Sequence, residues 1–121
     1  MSIPYHEPVT ELSGEAREIH RALSTVVEEL EAVSWYQQRA DVTGDDDLKA
    51  ILIHNRNEEI EHAAMGLEWL RRRMPEFEEQ LRTYLFTLQP ITEIEDAVEG
   101  HGEESGGDQN RSDLQIGKPG R

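Results

Sequence analysis

Between Ser13 or Gly14 and Arg39 the apolar residues Ile19, Leu23, Val26, Val27, Leu30 and Val33 recur at steps of three and four. That spacing holds them on one face, and with no proline inside it predicts a single helix of about seven turns. The stretch "DVTGDDD", Asp41 to Asp47, breaks the pattern. It offers Thr43 or Asp45 as a cap and acidic side chains for the first turn of a second helix. Counting back from Trp69 in the same steps gives Gly66, His62, Glu59, Asn55, Leu52 and Leu48, with Ile51, Met65 and Leu70 widening the face. Arg71 to Arg73 suit the C-terminal dipole of this helix, and Pro75 forces Met74 out of helical geometry. A shorter third helix carries Phe77, Leu81, Tyr84, Leu85 and Leu88 on one side and is ended by Pro90; "ITEIEDAVE" has the pattern for one or two further turns. No strand and no internal repeat is legible, so the chain reads as all-α.

Polar residues interrupt the seam of the second helix, and they set the functional question. Burying Glu59 and His62 without partners would cost several kcal/mol, on the order of the stability of a small domain. As Glu-x-x-His they are i and i+3, one turn apart, and can share a single metal ion. The plainer alternative is a hydrogen-bonded pair at the wet edge of a core. The first helix carries an intruder of its own in "VVEELEAVSWYQQR", where Glu29 has Val26 one turn before it and Val33 one turn after. Glu28 and Glu31 point further outward.

Composition limits what such residues can do. About the last twenty residues are too polar to fold, which leaves roughly a hundred to build one small core. From Gly100 the text "GHGEESGGDQNRSD" has nothing to bury and is expected to be disordered. The predicted organisation is a flexible start over 1–12, a helical domain over 13–98 and a linker with a terminal peptide over 99–121. A formal net charge of -14 argues against nucleic acid and favours cations. The chain has no cysteine, which excludes disulfides and thiolate metal sites. With neither a basic apolar leader nor any window approaching eighteen apolar residues, it is expected to be soluble, without a membrane span or a cleavable export signal.

One Glu helix and one Glu-x-x-His helix make half of a known ligand set. A carboxylate-bridged di-iron centre takes a Glu from each of two bundle helices and a Glu-x-x-His from each of the other two. Two copies related by a two-fold axis would supply four helices and both halves, burying Glu29, Glu59 and His62 of each chain around two ions. Carboxylate oxygen with imidazole nitrogen suits iron, manganese or zinc, and carboxylate bridging favours iron or manganese. The reaction such geometry supports is oxidation of ferrous to ferric ion by dioxygen.

The segments "EELEAVSWY", "ILIHNRNEEIEHAAMGLEWLRR" and "LRTYLF" closely resemble the encapsulated ferritins, cargo proteins of encapsulin nanocompartments, from Glu28 to about Pro90. The resemblance implies an antiparallel two-helix hairpin that dimerises into a ferritin-like four-helix bundle, and a ring of such dimers, a decamer. It puts ferroxidase ligands at Glu29, Glu59 and His62, with two Fe per dimer interface and Trp35 and Tyr36 lining or hydrogen-bonding the site. It also puts acidic residues through which metal enters at Glu28 and Glu31, and an outer metal site at His54, Glu58 and Glu61, with Ca or Zn as further occupants. The resemblance further implies an open ring with no cavity for mineral, one that oxidises iron while a cytoplasmic shell stores it.

The competing reading is a helical oligomerisation module whose divalent metal only pins two subunits. Against it, three protein ligands per chain for two ions leave room for water or dioxygen, whereas structural zinc sites close at four and usually include thiolates. A peroxidase of the rubrerythrin kind would need a second Glu-x-x-His per chain or a cysteine-bound iron. His6 and His101 fall in flexible segments and His20 at a helix start, where surface histidines are commonplace. In the tail, Leu114 and Ile116 are spaced i and i+2 and face one side of an extended segment. With Gly117 they resemble the first half of an encapsulin targeting peptide, whereas Pro119 stands where that pattern has a second leucine.

Overall fold

The computed structural model describes residues 3–101. Among the described residues all regular structure is helical: a single 3-10 turn at Val9–Glu11, then α1 (Gly14–Val42), α2 (Asp46–Arg73), α3 (Pro75–Tyr84) and α4 (Ile91–His101). Leu114, Ile116 and Gly117, the residues of the targeting reading, lie outside the described residues.

Residues up to Arg73 form one compact unit built on α1 and α2. The Ser13 hydroxyl caps α1 by accepting from the Ala16 N–H at 3.0 Å, one of the donors that a helix start leaves without an internal partner. The helix runs three residues beyond Arg39, because Asp41 and Val42 are only weakly unfavourable to it. It stops at Thr43, whose extended backbone still donates to the Arg39 carbonyl. Asp45 then caps α2, its Oδ1 accepting from the Leu48 N–H at 2.9 Å, while the Thr43 hydroxyl accepts from Asp45 N–H. A turn this short folds α2 back antiparallel along α1. Arg56 donates to Gln37 near the turn at 2.7 Å, and Arg73 pairs with Glu15 at the far end at 2.9 Å.

The interior of this unit is thin. Ala40, Leu52, Ala63 and Leu70 are its buried apolar residues, and Leu70 alone is a large side chain with almost no exposure. Leu30, Trp35, Ile51, Ile60 and Met65 remain about half exposed on the same pair of helices. Two helices cannot enclose a core, and that apolar surface is what a soluble protein ordinarily covers with a neighbour. The segment 3–12, set apart in sequence, lies back along α1. Its Ile3 N–H donates to the buried Ser24 hydroxyl, Arg17 donates to the Val9 carbonyl, and Tyr5 stacks on His20 with ring centres 4.1 Å apart.

Among the described residues, those from Met74 to His101 belong to a second unit. Pro75 occupies the first turn of α3, where its missing N–H costs nothing, and Met74 is extended as expected before a proline. The pattern in the sequence carries this helix to Pro90, but it ends at Tyr84. The Thr87 hydroxyl donates to the Tyr84 carbonyl at 2.7 Å, satisfying an acceptor at the helix end. Leu85 is extended and Phe86 takes a left-handed φ of 61°. Leu88, expected on the apolar side, is 95% exposed. The one or two turns expected after Pro90 are an eleven-residue helix, α4, whose first N–H groups at Glu93 and Ile94 donate to the Pro90 carbonyl.

Candidate metal centre

The antiparallel return of α2 brings Glu29 of α1 opposite Glu59 and His62 of α2. Glu59 and His62 project together because they are one turn apart. The His62 Nδ1 lies 3.6 Å from Glu29 Oε1 and 3.5 Å from Glu59 Oε1. One donor atom from each of the three falls within 4.8 Å of the others, and all three residues are half-buried. Both nitrogen-to-oxygen distances exceed the usual hydrogen-bond length, so the imidazole nitrogen and the two carboxylates are gathered without being hydrogen-bonded to one another at these atoms. Two donors held about 2.1 Å from one ion stand about 3.0–3.4 Å apart, close to the two distances from His62, while the full set lies within 4.8 Å and would have to draw in around an ion. The donors are two hard oxygens and one imidazole nitrogen, the chemistry that first-row divalent ions accept.

Among the described residues this is the one group of three or more His, Asp or Glu donors gathered to that distance. The remaining sequence candidates are placed differently. Glu28 is exposed and Glu31 half-buried on α1, while His54, Glu58 and Glu61 are all exposed on α2. Glu58 nevertheless approaches the cluster along the helix, its Oε1 3.9 Å from His62 Nε2. The same imidazole therefore has the two triad carboxylates near Nδ1 and an outer-face carboxylate near Nε2. That contact is an i, i+4 pair and was available from spacing. Trp35 is about half exposed, and Tyr36 is half-buried with the Arg39 guanidinium 5.5 Å from its ring centre. Trp69, an apolar anchor in the sequence pattern, is half-buried beneath the Arg73 guanidinium at 4.2 Å.

Residues 4–88 match the EncFtn-like family. The chain is 58% identical over 108 residues to a ferritin-like protein of Thermotoga maritima, covering 89% of this chain and 95% of that protein. It is 59% identical over 103 residues to an encapsulated ferritin-like protein of Rhodospirillum rubrum, covering 85% of this chain and 73% of the relative. A crystal structure of a Nitrosomonas europaea protein superposes with a TM-score of 0.72 at 56% identity, covering 74% of this chain and 98% of that one.

Proposed function

Since the chain belongs to the EncFtn-like family, we propose that it is a ferroxidase, oxidising Fe(II) to Fe(III) with dioxygen at a di-iron site formed across a homodimer. The observation that carries the reading is the convergence of Glu29, Glu59 and His62 from two antiparallel helices to within 4.8 Å. Each chain contributes these three ligands, and a second copy brings the same three. The half-exposed Leu30, Ile51, Ile60 and Met65 support pairing, because a second hairpin laid on them completes a four-helix core.

In this reading iron is the substrate. Two ferrous ions each give up one electron to dioxygen, and the protein's part is to hold them close together among carboxylates that favour the more highly charged product. Glu28 and Glu31 extend the acidic path toward the ligands. The His54, Glu58 and Glu61 face is a weaker outer site for Ca or Zn, and Trp35 and Tyr36 flank the ligands. Residues 13–98 are the ferritin-like helical domain, dimers associate further into a ring, and the terminal peptide with Leu114, Ile116 and Gly117 docks into an encapsulin shell in the cytoplasm. The name of the Rhodospirillum rubrum relative, an encapsulated protein, supports that location.

Anaerobic titration with Fe(II), followed by admission of air, tests the activity. Growth of ferric absorbance that saturates with bound iron is the expected result. Iron bound without oxidation would instead mean a structural metal and would refute the ferroxidase.

A further inference from the structure

Gly66 sits inside α2, and its φ is not positive. Nothing in its backbone conformation requires glycine, and a glycine within a helix is unfavourable relative to alanine. Its use is clearance. A Cβ at Gly66 would stand 2.6 Å from the Val26 Cγ2, whereas Gly14, Gly44 and Gly100 have nothing within 4 Å of theirs. Carbon atoms in contact sit about 3.5–4.0 Å apart, so an added methyl is short of room by about 1 Å. Val26 cannot easily swing away, because a β-branched side chain in a helix has one strongly preferred rotamer.

This close approach lies beside the cluster. Gly66 is one turn beyond His62 on α2, and Val26 is one turn before Glu29 on α1. We propose that Gly66 is a positioning residue for the Glu29, Glu59 and His62 cluster: its bare backbone lets Val26 seat against α2 and so sets the distance across which Glu29 meets His62. The inference rests on the metal-centre reading above. Metal–ligand distances in a formed site stay within about 0.2 Å of their usual values, so parting the helices by several times that amount one turn away widens the gap the donors must close and weakens the donor set while the hairpin persists. Flexible glutamate side chains recover part of the displacement, which makes the loss graded.

The test is Co(II) titration of the metal-free, full-length protein, read by visible absorption, for the parent, G66A, V26A, V26A/G66A and E59A. G66A is expected to weaken Co(II) binding by about tenfold or more and to alter the absorption bands, within the 10–100-fold range typical of residues that orient metal ligands. Adding G66A to V26A, where the obstructing methyl is gone, is expected to cost less than about threefold. A G66A chain too unstable to titrate, but restored to a folded Co(II) binder by V26A, gives the same answer. A lowered thermal midpoint with parental affinity and bands would overturn the positioning role, as would a folded V26A/G66A that keeps the full loss. A parent that binds no Co(II), or an E59A variant that binds it as the parent does, overturns the metal centre itself and with it this role.

Discussion

His62 and Glu29 face each other across the hairpin with 3.6 Å between Nδ1 and Oε1, although thirty-two residues of chain separate them. An imidazole nitrogen and a carboxylate oxygen held at that distance from different helices depend on the helix pairing as well as on the residues themselves. The experiments below separate those contributions.

Replacing Glu29, Glu59 or His62 singly by alanine is expected to reduce Fe(II) oxidation by about 10–100-fold or more, since each contributes a donor to the same cluster. His54→Ala, on the exposed face, should oxidise iron at nearly the parental rate. Ferric absorbance after air admission measures both. The inner assignment is wrong if Glu29→Ala keeps the parental rate while His54→Ala loses it.

Association should depend on metal. Two chains bring four triad carboxylates together, and their mutual repulsion opposes pairing until a cation is present. Sizing the metal-free protein should give the smaller species, and added Fe(II) under nitrogen the assembled one. A stable monomer that binds two irons per chain would sink the half-site reading.

Glu68 gives a pH-dependent prediction away from the metal. Hydrogen bonds from the Arg71 and Arg72 side chains lower its pKa from 4.5 to about 2, with Arg71 reaching both carboxylate oxygens at 2.7 Å. A carboxylate whose folded pKa is depressed stabilises the fold above its unfolded value and loses that contribution as pH falls toward the folded one. Glu68→Gln should therefore flatten the fall in thermal midpoint between about pH 4.5 and 2. Glu68 and Arg71 are half-buried and Arg72 is exposed, so solvent screens the cluster and the difference should be small and shrink further in high salt. Thermal melts at low and high salt check it, and identical acid limbs for the two proteins would refute it.

The targeting reading has a separate experiment. Truncation after Asp113 should leave dimerisation and iron oxidation intact and abolish co-purification with an encapsulin shell, and Leu114→Asp with Ile116→Asp should do the same at full length. If the shortened chain enters the shell at full occupancy, the address lies elsewhere.

Much of this arrangement is legible along the chain. The three- and four-residue steps identify α1 and α2, Asp45 is a recognisable cap, and Glu59 with His62 stands out because a carboxylate and an imidazole interrupt an apolar seam. What escapes the pattern depends on partners that periodicity does not specify. At the end of α3 the Tyr84 carbonyl is met by a hydroxyl three residues on, at Thr87. The Tyr5 ring over His20 joins a segment with no periodicity to a helix start. Gly66 reads as a small residue in the seam, but its clearance to Val26 follows from how α1 is rotated against α2. Half-exposed Ile51 and Met65 continue an apolar face that one chain does not finish covering.

The short Asp45-capped turn also orders events in time. Because α1 and α2 are sequential and meet beginning at their connection, pairing them is a local search: helices form in about a microsecond and short loops close faster still. Meeting a second chain is bimolecular and slows with dilution. In the proposed dimer, newly made protein should therefore pass through a lone hairpin whose lifetime is governed by the supply of chains and cations, and the rate at which competent centres appear would then be a property of the population rather than of the single molecule.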